Sequence, residues 1–164
     1  MKKICLIIII ILLTACNNKT DAIRFKQEYE SYNKDKIELT ISDKNIVKYS
    51  TKEEINKIIK EGTGVIFIGT PKENTSRTSI NLLLEAADST DLKEIYYIDN
   101  LKEINIDKIE NSKMPLVLFI LEGQTISYSI NEKEELNEDE EINLYNKYLD
   151  SIHEVLQDTC DEEC

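Results

Sequence analysis

Apolar and polar positions alternate along this chain in two rhythms. Val65-Ile66-Phe67-Ile68 is a short unbroken apolar run with β-branched residues, the pattern of a buried strand, and Glu94-Ile95-Tyr96-Tyr97-Ile98-Asp99 alternates as a strand does. Ile80, Leu83, Leu84 and Ala87 return at three- and four-residue steps, as do Ile142, Tyr145, Leu149, Ile152 and Leu156, so each set forms one face of a helix. Applied to the whole chain, these rules predict a helix at about 22–34, a strand at 37–42, a helix at 51–61 and the strand at 65–68 with its following helix. A strand at 94–99, a weak helix at 106–111, hairpin strands at 115–121 and 124–130 and a long helix at 138–158 complete the set. Strands alternating with helices and then closing in a hairpin predict an α/β fold built on a mixed sheet.

The first residues follow a different logic. Lys2-Lys3 is a basic start, Ile4 to Leu13 is an apolar stretch too short to span a bilayer, and Leu13-Thr14-Ala15-Cys16 closes it. This resembles the lipobox of bacterial lipoproteins. The resemblance implies a signal peptide at 1–15, cleavage before Cys16, acylation of Cys16 and a lipidated tether at 16–24. Acyl chains on Cys16 would hold the protein on the extracytoplasmic face of the bacterial cell membrane. The mature chain would keep 149 of the 164 residues, enough for one domain, 25–164, with a real core.

Between the strand at 65–68 and the next helix runs Gly69-Thr-Pro71-Lys-Glu73-Asn74-Thr75-Ser76-Arg77. A strand entering a helix through such a loop is similar to the active-site segment of thioredoxin-like proteins, which carry a Cys-X-X-Cys pair where Glu73-Asn74-Thr75-Ser76 stands here. Other landmarks agree: the amphipathic Phe25–Ser31 segment, Asn45–Ser50 in the place of a small edge strand, and Met114-Pro115 ahead of Leu116–Ile120 and Glu122-Gly123. The resemblance implies a thioredoxin-like mixed sheet flanked by helices and a cis-proline at 115. A carboxylate and a hydroxyl cannot form a disulfide, so the family's redox chemistry is not expected at Glu73 and Ser76. The same four residues also suit plain capping of a helix start.

Charge narrows the partners. The chain carries 20 basic and 32 acidic residues for a net charge of −12, which becomes −14 once Lys2 and Lys3 are removed. Nucleic acid and anionic lipid surfaces are therefore disfavoured. The acidic run from Asn131 to Glu141 lacks the glycine and the ligand alternation of a calcium loop; Asn137 with Glu140 three residues later reads as a capping box.

After loss of Cys5 and acylation of Cys16, Cys160 and Cys164 are the remaining thiols. Outside the cytoplasm a close pair favours a disulfide. Two alternatives stay open: thiol–disulfide exchange by the pair, slowed by Asp161, Glu162 and Glu163, and a metal site using His153, which lies seven residues before Cys160 on a helix. His153 is the only histidine, which makes a Ser-His hydrolase a poor fit. The expected function is a membrane-anchored module that binds a peptide or an envelope protein around Glu73–Ser76 and Met114-Pro115, with no cofactor and no metal. The alternative is an exchange enzyme working through Cys160 and Cys164.

Overall fold

The computed structural model describes residues 21–32, 41–99, 114–129 and 136–161. Helix α1 covers 21–31 and turns Ala22, Phe25 and Tyr29, at steps of three and four, into the core. Then follow β1 (Val47–Tyr49), α2 (Lys52–Glu61), β2 (Gly64–Ile68), α3 (Asn74–Asp88), β3 (Ile95–Ile98), β4 (Leu116–Leu121), β5 (Gln124–Ser129) and α4 (Glu138–Asp161). The sheet order is β1-β3-β2-β4-β5. β3 pairs in parallel with both β1 and β2, and β4 pairs antiparallel with both β2 and β5, which makes this an α/β structure on a five-stranded mixed sheet.

Alternation along β2 and β4 sends side chains to opposite faces. Ile66, Ile68, Leu116, Leu118 and Ile120 meet Ile55 of α2 on one side, while Val65, Phe67, Val117 and Phe119 meet α1, α3 and α4 on the other. Both faces being covered explains the unbroken apolar runs of these strands. α2 starts on a full capping box: Thr51 Oγ1 accepts from Glu54 N at 3.2 Å and Glu54 Oε2 accepts from Thr51 N at 2.9 Å. α4 starts on the box predicted at Asn137 and Glu140, at 3.0 and 2.8 Å.

Two expectations need correction. The strand at 37–42 does not reach Ile41 and Ser42, which are irregular; Ile41 is buried in the core without joining a ladder, and the edge strand is Val47–Tyr49. Residues 37–40 of that strand, the helix at 106–111 and the signal peptide at 1–15 lie outside the described residues. Finally, Ile142 is 53% exposed, while Tyr145, Leu149, Ile152 and Leu156 of the same expected stripe pack on the core together with Leu144, Tyr148 and Val155.

Candidate functional site

Register builds one end of the sheet. Ile68 of β2 stands opposite Leu116 of β4 and beside Ile98 of β3. The loop leaving β2, the residues entering β4 and Asp99 therefore meet there, as does Ser50 after β1, whose N–H donates to Tyr97 O at 2.9 Å. Carboxyl ends of strands in α/β sheets are where ligands commonly bind.

Gly69 opens the loop where only hydrogen fits. Its N–H donates to Ile98 O at 3.3 Å and its carbonyl accepts from Tyr97 Oη at 3.1 Å. A Cβ there would lie 2.7 Å from Phe67 Cζ and 3.0 Å from Ser76 Oγ. Pro71 is buried, and a turn returns Glu73 N to Thr70 O at 3.2 Å.

Glu73 occupies the N-cap of α3 with extended backbone angles, yet its side chain caps no backbone N–H. The capping expected of the 73–76 segment is thus not made by Glu73: its carboxylate turns to Ser76, whose Oγ donates to Oε2 at 3.2 Å. The same Oγ accepts from Thr70 N at 3.2 Å, so the fully buried Ser76 ties loop to helix. Arg77, 5% exposed, donates from Nη1 to Pro71 O and from Nη2 to Asn74 Oδ1, while its Nε has no partner among the described residues. Asn74 is exposed and Thr75 half-buried. Across the sheet end, the Met114–Pro115 peptide is cis, with Pro115 buried and Met114 half-buried.

The sheet register brings Glu73–Ser76 and Met114-Pro115 to one end of the fold. It does not bring His153 into a catalytic arrangement: His153 is exposed on α4, and Ser76 is sealed and spent on two hydrogen bonds. Ser79 is buried too, sharing a 2.8 Å hydrogen bond with Tyr148 Oη between α3 and α4. Among the described residues no group of three His, Cys, Asp or Glu could hold a metal, and no helix is long and apolar enough to cross a membrane. Cys16 and Cys164 lie outside the described residues; Cys160 stands in the last turn of α4, and its side chain is outside them too.

Sequence reasoning missed an open cleft of about 490 Å³ at the same end. Its walls are Arg24 and Glu28 from α1, Tyr49, Ser50 and Thr51 leaving β1, Lys52 and Glu53 opening α2, and Tyr97 to Asp99 leaving β3. Arg24 stacks its guanidinium 4.0 Å from the Tyr49 ring centre, and Tyr49 Oη donates to Glu28 Oε2. Burial, then Glu28, pushes the Tyr49 phenol well above its ordinary value; burial does the same to Tyr29 and Tyr97. Four elements, α1, β1, α2 and β3, assemble this cleft, and no local motif announces it.

A scan against protein-family models finds no matching family, and a search of curated proteins finds no match.

Proposed function

We propose that this chain is a membrane-anchored, extracytoplasmic binding module of thioredoxin-like fold that has lost the usual redox chemistry. Its partner is an extended peptide, free or part of an envelope protein, held at Glu73–Ser76 and Met114-Pro115. The reading of the fold is supported by the strand order β1-β3-β2-β4-β5, by α3 leaving β2, and by the proline that opens β4. The anchor rests on the Leu13-Thr14-Ala15-Cys16 pattern.

One observation carries the binding role: a loop and a strand start lie side by side with main-chain groups to spare. The first turn of α3 has no side-chain cap, and the backbone of Met114 makes no hydrogen bond among the described residues. Such groups suit main-chain pairing with an extended peptide. Exchange chemistry has no thiol at this place, where Glu73, Asn74, Thr75 and Ser76 stand.

Amide exchange of the full-length protein in detergent micelles, with and without an extended peptide, tests the reading. Protection should rise at Thr75 and Met114. Protection confined to the far end of the sheet, or insulin reduction by the protein at the rate of a dithiol enzyme, would overturn it.

A further inference from the structure

The loop between β2 and α3 holds a buried positive charge that nothing balances. Arg77 is 5% exposed, and among the described residues no carboxylate stands within ion-pair distance of it. Arginine is rarely buried so far without an acid, and this one lies in the first turn of α3, where the helix dipole already disfavours a cation. Glu73, the acid nearest in sequence, spends its carboxylate on Ser76. We infer that the missing anion is a carboxylate of the bound peptide, at its C-terminus or on an aspartate or glutamate side chain; this rests on the peptide-binding reading above.

The guanidinium is set for such a group. Its Nη1 donates to Pro71 O and its Nη2 to Asn74 Oδ1, so the side chain reaches back to the loop and the start of the helix. Nε, which shares one edge of the guanidinium plane with Nη2, has no partner among the described residues. That edge presents two parallel N–H groups, the fork that a carboxylate accepts with both oxygens. Its present acceptor is weak and removable. Asn74 is exposed and offers Nη2 only a neutral carbonyl, so its side chain turns into water when a carboxylate takes its place. Close by, the N–H groups of Asn74 and Thr75 carry no cap among the described residues and add their own positive end. From Gly69 to Arg77 the chain has two cations, Lys72 and Arg77, against the one acid Glu73, a local excess opposite in sign to the net charge of −12. The overall charge keeps polyanions away, which leaves a single carboxylate on a peptide as the anion that fits.

Three labelled peptides of one extended Thr/Val sequence, ending in a free carboxylate, in an amide, or in an amide with one internal glutamate, test this by fluorescence anisotropy on the full-length protein in detergent micelles. At least one carboxylate form should bind about tenfold tighter than the form without a carboxylate, and the form that does so identifies the source of the anion. Asn74→Asp, at an exposed position that keeps the fold, supplies a carboxylate to Nη2 from within and should shrink the preference to within about twofold. Arg77→Lys, which keeps the charge and loses the fork, should shrink it too. The exposed control Lys93→Gln, ahead of β3 at the opposite end of the sheet, should leave the preference intact. Equal binding of the three peptides, a preference that survives Asn74→Asp, or one lost as much in Lys93→Gln overturns the carboxylate assignment while peptide binding stands. Failure of every peptide to bind overturns both.

Discussion

Replacing Ser76 with alanine should cost far more than replacing Glu73, although Glu73 is the residue at the helix cap. Ser76 Oγ accepts from Thr70 N and donates to Glu73 Oε2, both at 3.2 Å, and the residue is fully buried. Alanine leaves the Thr70 N–H in a half-buried place without its acceptor, a loss worth about 1–3 kcal/mol, and removes the neutral donor to Glu73 as well. A total near 2 kcal/mol would lower Tm by about 4–8 °C in a protein of this size. Glu73→Ala keeps the Thr70–Ser76 bond. It loses one long, half-exposed contact and a favourable charge at the N-terminus of α3, together below about 1 kcal/mol. Denaturant unfolding of the two single variants and the double variant gives both numbers and their coupling. Amide exchange should show Thr70 opening in Ser76→Ala and staying closed in Glu73→Ala. If Glu73→Ala costs as much as Ser76→Ala, the carboxylate caps α3 after all and this account of the loop is wrong.

Alkali should unfold the protein through its tyrosines. Tyr29, Tyr49 and Tyr97 have folded pKa values raised above the ordinary phenol, so the folded state holds their protons more tightly; that stability is whole below about pH 10 and is lost as pH rises beyond it. Tyrosinate absorbance and circular dichroism should change together in a pH titration, and Tyr29→Phe, which removes a buried ionisable hydroxyl, should move the transition to higher pH. Gly123→Ala should cost about 2–4 kcal/mol in denaturant, since Gly123 has φ +76° and a Cβ there would meet Lys60 O at 2.7 Å. Cys16→Ala should leave the precursor uncleaved and unacylated, which mass spectrometry of the membrane fraction reads directly. Cys160→Ser/Cys164→Ser should lose at most about 1 kcal/mol and keep peptide binding, because so short a ring restrains the unfolded chain little; loss of binding would restore the exchange reading.

Elements were legible wherever one period governed a segment. β2, β4 and α3 are buried where their patterns indicated, since a strand covered on both faces needs an unbroken apolar run and the apolar set Ile80, Leu83, Leu84 and Ala87 has only one way to face the sheet. On α4 the expected stripe holds at Tyr145, Leu149, Ile152 and Leu156 and fails at Ile142. The true face includes Tyr148 and Ser151, polar residues that a hydropathy pattern counts against the core. Tyr148 is nevertheless buried at that face because its hydroxyl meets Ser79, a partner 69 positions away. The loop was legible in its place and illegible in its bonds. A glutamate at a helix start suggests capping, and nothing local says that its carboxylate will turn to Ser76 instead.

Cleft and loop are one mechanical unit, and Tyr97 is the reason. Its ring walls the cleft while its Oη holds Gly69 O at 3.1 Å, and Gly69 in turn is packed so tightly against Phe67 and Ser76 that no side chain fits. Phe67 stacks on the same Tyr97 ring, 5.9 Å between centres. A displacement of the Tyr97 ring from the cleft side would therefore bear on the hydrogen bond that positions the loop. Packed interiors pass such displacements on, since they have little free volume to absorb them. Residues on the two sides of Tyr97 should for this reason fail to add when substituted together, in contrast to pairs at opposite ends of α3.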